Sequence, residues 1–447
     1  MKDKYSGVYE VKDINGNIVK NKYTLRMCIT VNGVTHRDTE TVEATSKKKA
    51  YDIKIKRIAE LKELYETGTS AKSKAMTFIN LVDKWDSIVK SDIEHNREDA
   101  LSYNTYATYK STLAKYILPY FSSIKIAEIT SGTIQNYLDY IKSKYSLSDK
   151  TIKNQFMLIR TLLSFAYQRD LIINNPCDKV KLSKIEAPEP HFFTDEQMAA
   201  IFVCLDEMVE TKLASFETSR KYKELDPDER EKREHLRTLE VWSKRLFVHL
   251  SLLTGARRGE TIGVMWKDIE MVEAVSVSFR GTTYHEVGVG SQYKDKLKNK
   301  SKLKVVYLTP QVIPLIKEYK ALQKQVIKEQ GWKDTGYVFL AYNDGKINKA
   351  GGLANGDTYT HWFSDFCVKY KEKIGLTDEE ANKAHVHMLR HSFVTYELMN
   401  GTDIKTVAEL AGHKDTNMTA NRYGHVYDER KQAAASVFDN LYEQVNK

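Results

Sequence analysis

Four cysteines in 447 residues, Cys28, Cys177, Cys204 and Cys367, lie far apart with no C-x-x-C pair among them. That spacing speaks against a disulfide framework and against a cysteine zinc cage, leaving reduced, buried thiols as the simpler reading. No run of about 18 apolar residues occurs, so no membrane-spanning helix is expected. The opening stretch MKDKYSGVYEVKD has no apolar segment of the kind a signal peptide needs. A soluble, cytoplasmic protein is expected. No phosphate loop of the form G-x-x-x-x-G-K-[S/T] is present. Seven prolines beside 27 tyrosines exclude a low-complexity chain, and no internal repeat at solenoid spacing appears.

The length implies two to four domains at roughly 100 to 200 residues each. With 69 Lys and Arg against 60 Asp and Glu, the net charge is +9, and 29% of residues are charged. This is a moderate push toward a polyanionic partner.

Three modules follow along the chain, giving a multidomain, mainly α fold with small β-sheets. In the first 45 residues, Asn15-Gly16 and Asn32-Gly33 each sit between β-prone runs, which predicts two type I′ hairpin turns and a three-stranded meander. Ser46 is the expected N-cap of a helix whose stripe is Ala50, Ile53, Ile58, Leu61 and Leu64. Residues 1–67 form this sheet-plus-helix module, which serves either as an interaction module or as a sheet that enters a DNA groove with Arg26, Arg37 and Lys47. A polar, basic linker is expected over 68–76. Four helices are expected over 77–182. Phe78, Leu81, Val82 and Trp85 mark the first; Tyr106, Tyr109, Leu113 and Ile117 mark the second, which should stop before Pro119. Ile134, Tyr137, Leu138 and Ile141 mark the third, and Ile152, Phe156, Ile159, Leu162, Leu163 and Ala166 the fourth. These stripes are core, and the polar positions beside them, Tyr103, Thr105, Thr108, Lys110, Lys150 and Lys153, are the DNA-facing candidates. After a second linker, 183–193, with Pro188 and Pro190, Thr194 caps the first helix of a mixed α/β module over 194–447. That module carries a charged, solvated helical insertion over about 207–240 and a β segment over about 272–308.

The chemistry-bearing residues lie in this last module. In LSLLTGARRGET an apolar helix runs into a Gly-marked turn with Arg257 and Arg258 at the junction; taken alone, these are a surface pair of arginines. His387 and Arg390, three apart on a helix, share one face, as a buried His beside a salt-bridged Arg would. His387 and His391 have a zinc-like i, i+4 spacing, but Met388 stands where a zincin has glutamate and no carboxylate or cysteine completes the set. Tyr423 is one tyrosine among 27.

Taken in order, these pieces resemble the tyrosine recombinase (phage integrase) family, in particular integrases of phages and of integrative conjugative elements or conjugative transposons. T-G-x-R-x-G-E is similar to the family's first arginine box, HMLRHSF to its H-x-x-R box and ELAGH to its L-x-G-H-type sequence. Tyr423, ten positions after His413 and followed by Gly424 and His425, matches the nucleophile. K-x-K-S-x-x-K-V-V-Y-L resembles the lysine hairpin, with Lys298 the best match among Lys294, Lys296, Lys300, Lys302 and Lys304; Lys304 stands where the pattern has Arg. The resemblance extends to the helical module, as a core-binding (SAM-like) domain, and to the N-terminal sheet and helix, as an arm-type DNA-binding domain.

The resemblance implies that Arg257, Arg390 and His413 bind the scissile phosphate, that Tyr423 attacks it, that His387 is the base and Lys298 the acid, and that a 3′-phosphotyrosyl intermediate forms without metal, ATP or other cofactor. Glu260 would brace its turn. It further implies double-stranded DNA with core and arm attachment sites, a homotetramer on DNA, and an accessory excision factor and a host DNA-bending protein as possible partners. The tail SVFDNLYEQVNK would pack on a neighbouring protomer or on the chain's own core. Two other readings share the residues: a type IB topoisomerase, which would relax supercoils without a partner site, and a non-enzymatic DNA-binding regulator on a recombinase scaffold.

Overall fold

Why the strands and helices form where they do is visible in a computed structural model, which describes residues 5–14, 16–67, 74–95, 97–182, 191–217, 224–272, 274–295, 303–345, 347–413 and 415–423, with the backbone alone at 67, 216–217 and 421–422. The chain divides into two units at 186/187.

In the first unit, β1 (Val8–Lys12), β2 (Ile18–Val31) and β3 (Val34–Glu43) form an antiparallel sheet in that order. Strict alternation along β2 buries Leu25, Met27, Ile29 and Val31 and leaves Arg26, Cys28 and Thr30 on the opposite face, as a period of two requires. Asn32 and Gly33, at φ 49° and 80°, make the tight I′-like turn that pairs Val31 with Val34, a conformation Asn and Gly tolerate. The first hairpin is wider than predicted. Asp13 accepts a hydrogen bond from the Gly16 amide (3.0 Å) at its carbonyl and from the Asn17 amide (2.9 Å) at its carboxylate. These bonds stabilise a longer loop between Lys12 and Ile18, which pair across it.

Helix α1 (Lys47–Thr67), capped by Ser46 Oγ on the Lys49 amide, buries Ala50, Leu61 and Leu64 against the sheet. Ile53, expected in that stripe, is exposed. Lys54 is buried in its place and donates through Nζ to the Ser6 carbonyl at 2.6 Å; burial lowers its pKa. At the far end of α1, Tyr65 stacks on His36 and donates to Asp38, and burial with that carboxylate pushes its phenol up to about 12.

The four expected helical stripes are buried in one apolar core, apart from Tyr106 and Tyr109, which are partly exposed. They belong to α2 (Phe78–Glu94), α3 (Tyr103–Thr112) with its continuation, α5 (Ser131–Tyr145) and α6 (Asp149–Tyr167). The second helix does not stop at Pro119. A π segment, Leu113–Ile117, precedes α4 (Leu118–Phe121), and the Leu118 amide reaches back to the Leu113 carbonyl. This wider turn relieves the clash that Pro119 would make with an α-helical carbonyl, so the helix runs on. Met76, expected in the linker, is buried and its carbonyl accepts from the Ile126 amide.

In the second unit Phe193, expected at the end of a linker, is in the core, and its amide donates to Ser392 Oγ at 2.7 Å. Helices α7 (Asp195–Glu217) and α8 (Pro227–Thr254) are long, and most of the charged insertion is an outward extension of this pair. His235 on that extension is fixed to Glu329 at 2.9 Å, on α10 (Ile313–Glu329). After α9 (Arg258–Ile262) come β4 (Ile269–Glu270), β5 (Ser276–Phe279) and β8 (Lys304–Tyr307), sheet order β4-β5-β8, with the β6 (Gly281–Glu286)–β7 (Gly290–Asp295) hairpin between β5 and β8. Helices α11 (Gly356–Lys369), α12 (Lys371–Ile374), α13 (Asp378–Lys383), α14 (Val386–Met399), α15 (Ile404–Ala411) and α16 (Thr416–Arg422) close the unit.

Candidate active site

Two helix ends build the cationic half of the site. Helix α8 stops because Gly255 takes φ 56°, a left-handed cap that frees the last carbonyls of the helix. Ala there would be strained, and its Cβ would stand 2.2 Å from the Phe393 ring. The Gly255 carbonyl accepts from Arg390 Nη1 at 2.7 Å. The neighbouring Thr254 carbonyl accepts from Lys304 Nζ at 3.4 Å. Helix α15 ends in the same way, with Gly412 at φ 67°, and the Gly412 carbonyl accepts from Arg257 Nη2 at 3.2 Å. Each cation therefore meets the negative end of a helix, where positive charge is favoured.

Glu260 locks Arg257 further. Its carboxylate accepts from the Arg257 backbone amide (3.0 Å) and from Nη1 (3.2 Å). Glu260 is buried whereas the Arg257 side chain is 42% exposed, so the guanidinium is braced from behind and open in front. This is the bracing role expected of Glu260. Arg258, by contrast, points elsewhere, pairing with Asp357 at 2.6 Å and Thr360 at 2.8 Å.

His413 follows the α15 cap directly. Its amide reaches the Ala408 carbonyl, and its ring is fixed through Nδ1 by the buried Thr419 hydroxyl at 2.7 Å. His387 and Arg390 lie on α14 as their spacing predicts, His387 exposed and Arg390 2% exposed. The Tyr423 hydroxyl, however, shares a 2.5 Å hydrogen bond with Nδ1 of His391, a residue to which no role was given. His387 meets the edge of the His391 ring, centroids 4.7 Å apart. Tyr423 is 1% exposed, in a small apolar cluster of Phe393, Val394, Leu398, Val407 and Ala411. Among the described residues, no group of three His, Cys, Asp or Glu gathers as metal ligands do.

Lys298 lies outside the described residues, as do Lys296, Lys300, Lys302, Gly424, His425 and the tail. Of the lysine cluster, Lys294 is exposed on β7 and Lys304 is half-buried on β8. Lys304 pairs with Phe279 across the sheet, and its Nζ stands 4.7 Å from that ring's centroid. A Cβ on Gly412 would lie 3.7 Å from both Lys304 Cδ and Arg257 Nη1. Lys304 thus borders the arginine cradle. Strand alternation could have shown this, because Lys304 shares its face with the buried Val306 and Leu308 while Leu303, Val305 and Tyr307 face out.

In the first unit, Arg26 and Arg37 lie on the sheet face opposite α1, with the Arg26 guanidinium 4.9 Å from the Tyr9 ring centroid. Lys47 is half-buried at the start of α1. Tyr103 and Thr105 are half-buried at the start of α3, where Ser102 caps the Thr105 amide. Thr108 is tied to the Asn104 carbonyl and Lys110 to Asp86 at 3.2 Å. Lys150 and Lys153 are exposed at the start of α6.

Arg257 reaches the cap that precedes His413, the His413 ring is held by Thr419 on the helix that leads to Tyr423, and Tyr423 meets His391 beside Arg390. The candidate residues are thereby gathered in one mixed α/β unit, as a tyrosine-dependent DNA strand-transfer enzyme requires. Residues 228–430 match the model of the phage integrase family and residues 87–182 that of the phage integrase SAM-like domain, and the chain belongs to this family as a site-specific tyrosine recombinase that breaks and rejoins DNA. It is 23% identical over 401 residues to the ICEBs1 integrase of Bacillus subtilis (strain 168), covering 89% of this chain and 91% of that one. It is 26% identical over 352 residues to a XerC-like tyrosine recombinase of Caldanaerobacter subterraneus subsp. tengcongensis, covering 76% and 78%. The Tn1549 transposon integrase, solved with transposon right end DNA, shares the fold at a TM-score of 0.52 and 20% identity, over 80% of this chain and 100% of that one.

Proposed function

We propose that this recombinase integrates and excises a mobile genetic element, in the cytoplasm of a bacterial host, through a phosphotyrosine formed on Tyr423. The observation that carries the reading is the pair of guanidiniums, Arg257 and Arg390, held at adjoining helix ends by the Gly412 and Gly255 carbonyls. Attack on a phosphodiester places added negative charge on the non-bridging oxygens, and paired guanidinium donors meet it with charge-assisted hydrogen bonds. Because backbone carbonyls and Glu260 fix them beforehand, little reorganisation is needed as the charge develops.

His413, its ring oriented by Thr419, adds a donor to the same phosphate. The Tyr423 hydroxyl attacks phosphorus and gives its proton to His387, since a phenol of pKa about 10 is mostly protonated at neutral pH. The phosphorus–O5′ bond breaks, and Lys298 protonates the departing 5′ oxygen. The 3′-phosphotyrosyl bond retains the energy for rejoining, so neither metal nor ATP is needed.

The helical domain, with Tyr103, Thr105, Thr108, Lys110, Lys150 and Lys153, grips the core site. The Arg26 and Arg37 face of the N-terminal sheet, with Lys47, reads arm sites, and four copies act on two duplexes. A relative bearing an integrase name, aligned over 89% of this chain, favours this over topoisomerase or regulator readings. The test is a nicked suicide duplex made from DNA flanking the gene. A covalent adduct that maps to Tyr423 and vanishes in Tyr423→Phe is expected; an adduct persisting in the variant overturns the assignment.

A further inference from the structure

We infer, on the reading that Arg257 meets the scissile phosphate, that Gly259 and Thr283 are positioning residues for it. The β6–β7 hairpin is the seat on which α9 rests, and the missing side chain at Gly259 sets where Arg257 stands relative to the Gly412 carbonyl.

β6 and β7 form a two-stranded sheet of their own, although β5 and β8, between which they lie in the chain, belong to the β4-β5-β8 sheet. Two strands alone are marginally stable in water, so this hairpin needs another surface. It finds α9. β6 runs alongside that helix, and Thr283 Oγ1 donates to the Gly259 carbonyl at 3.3 Å. A Cβ at Gly259 would stand 2.5 Å from Thr282 Oγ1 and 2.7 Å from the Thr283 carbonyl oxygen, and one at Gly263 would stand 3.2 Å from the Tyr293 ring. Helix and hairpin therefore meet backbone to backbone at Gly259, and Tyr293 of β7 packs at the other end of the same helix. The hairpin is also tied down near its tip, where the Ser291 amide donates to Asn348 Oδ1 at 2.9 Å.

Arg257 is the residue before α9, and its guanidinium is bonded both to Glu260 on that helix and to the Gly412 carbonyl, at 3.2 Å each. Because α9 has only five residues, Arg257 goes where they go. The Gly412 carbonyl sits at the end of another helix and does not follow. A methyl at Gly259 meets a backbone carbonyl, which cannot rotate away as a side chain can. Ordinary contact needs about 3.5 Å, so α9 and β6 would have to part by roughly 0.5–1 Å. With the hairpin held near its tip, the short helix takes part of that shift, and Arg257 leaves its second anchor. Displacements of this size in a positioned group cost up to about 10²-fold in rate.

The test is a double-mutant cycle in the full-length protein on the nicked suicide duplex from the gene's flanking DNA. That duplex traps every cleavage, so slow variants are readable over long incubation. Gly259→Ala is expected to slow single-turnover adduct formation about 10- to 100-fold at unchanged duplex affinity. Thr283→Val should slow it about threefold, the worth of one hydrogen bond. In an Arg257→Ala background both losses should disappear, because a residue that acts through Arg257 has nothing left to position. Changes that merely loosened the fold would cost the same factor in either background. Gly259→Ala at the wild-type rate, or with its full loss beside Arg257→Ala, overturns the inference. If Gly259→Ala does not fold, Thr283→Val decides by the same two criteria. Arg257→Ala at the wild-type rate overturns instead the assignment of Arg257 to the phosphate, so the two failures are told apart.

Discussion

The two halves of the site are held by different kinds of bond. On the side proposed to hold the phosphate, Arg390 and Arg257 rest on the backbone carbonyls of Gly255 and Gly412, and Glu260 adds a buried carboxylate. On the side of the proposed nucleophile, Tyr423 follows the seven-residue helix α16 and its hydroxyl shares a hydrogen bond with a side chain, His391. Backbone anchors at capped helix ends shift only if the helices shift, whereas a side-chain hydrogen bond can be exchanged by one rotation. The difference separates the tasks. Charge stabilisation benefits from groups that do not move, whereas a hydroxyl proposed to attack phosphorus must be able to approach it.

If that division is right, the largest loss should come from disturbing the fixed half. Arg390→Lys keeps the charge, but one ammonium cannot span the Gly255 carbonyl and a phosphate as a planar guanidinium does. The expected loss is about 10²- to 10³-fold in single-turnover adduct formation, by analogy with removal of one preorganised oxyanion donor. Affinity for the suicide duplex, read by gel shift, should change by less than about threefold, because one phosphate contact among many is altered. A small effect on the rate would mean that the buried guanidinium is structural.

The two glycine caps allow a sharper version of the comparison, read by urea unfolding of the full chain. Both take positive φ, which costs an L-residue roughly 1–2 kcal/mol. At Gly255 the new methyl also runs into the Phe393 ring at 2.2 Å, whereas at Gly412 the nearest atoms are 3.7 Å away and belong to flexible Arg257 and Lys304 side chains. Gly255→Ala should therefore destabilise by about 2–4 kcal/mol, strain plus overpacking, and Gly412→Ala by about 1–2 kcal/mol. Equal losses would show that the Phe393 contact relaxes at no cost and that the α8 end is softer than its bonds suggest.

Sequence reasoning reached these elements unevenly, for physical reasons. The Asn32-Gly33 turn, the Ser46 cap and the four helical stripes were legible because each depends on residues close together in the chain. Pro119 misled because its penalty applies to an α-helical carbonyl, and the π turn ahead of it removes that carbonyl from reach. Ile53 and Lys54 exchanged places because an approximate stripe cannot tell which of two neighbouring side chains finds a partner; the Ser6 carbonyl decided it. Glu260 could be given its bracing place through the resemblance of T-G-x-R-x-G-E, and its carboxylate reaches the Arg257 amide three residues back. His391 could not be linked to Tyr423, because the contact joins residues 32 apart in sequence and one tyrosine among 27 carries no mark of its partner.

Lys304 tests where the fixed half ends. Its Nζ lies 3.4 Å from the Thr254 carbonyl and over the Phe279 ring, and its Cδ lies near the Gly412–Arg257 contact. The long 3.4 Å bond is weaker than the 2.7 Å bond of Arg390 to Gly255, and a lysine over a phenyl ring at a partly exposed site contributes only about 0.5–1 kcal/mol. Lys304→Met should keep the stem packed against Phe279, lose the charge, and slow adduct formation by no more than about fivefold. Lys304→Arg should restore it, since a guanidinium reaches the same carbonyl. A loss as large as that of Arg390→Lys would place the Lys304 ammonium on the phosphate itself. Because a lysine on the inner face of β8 would then be acting where a loop lysine is expected, the acid assigned to Lys298 would have to move to Lys304.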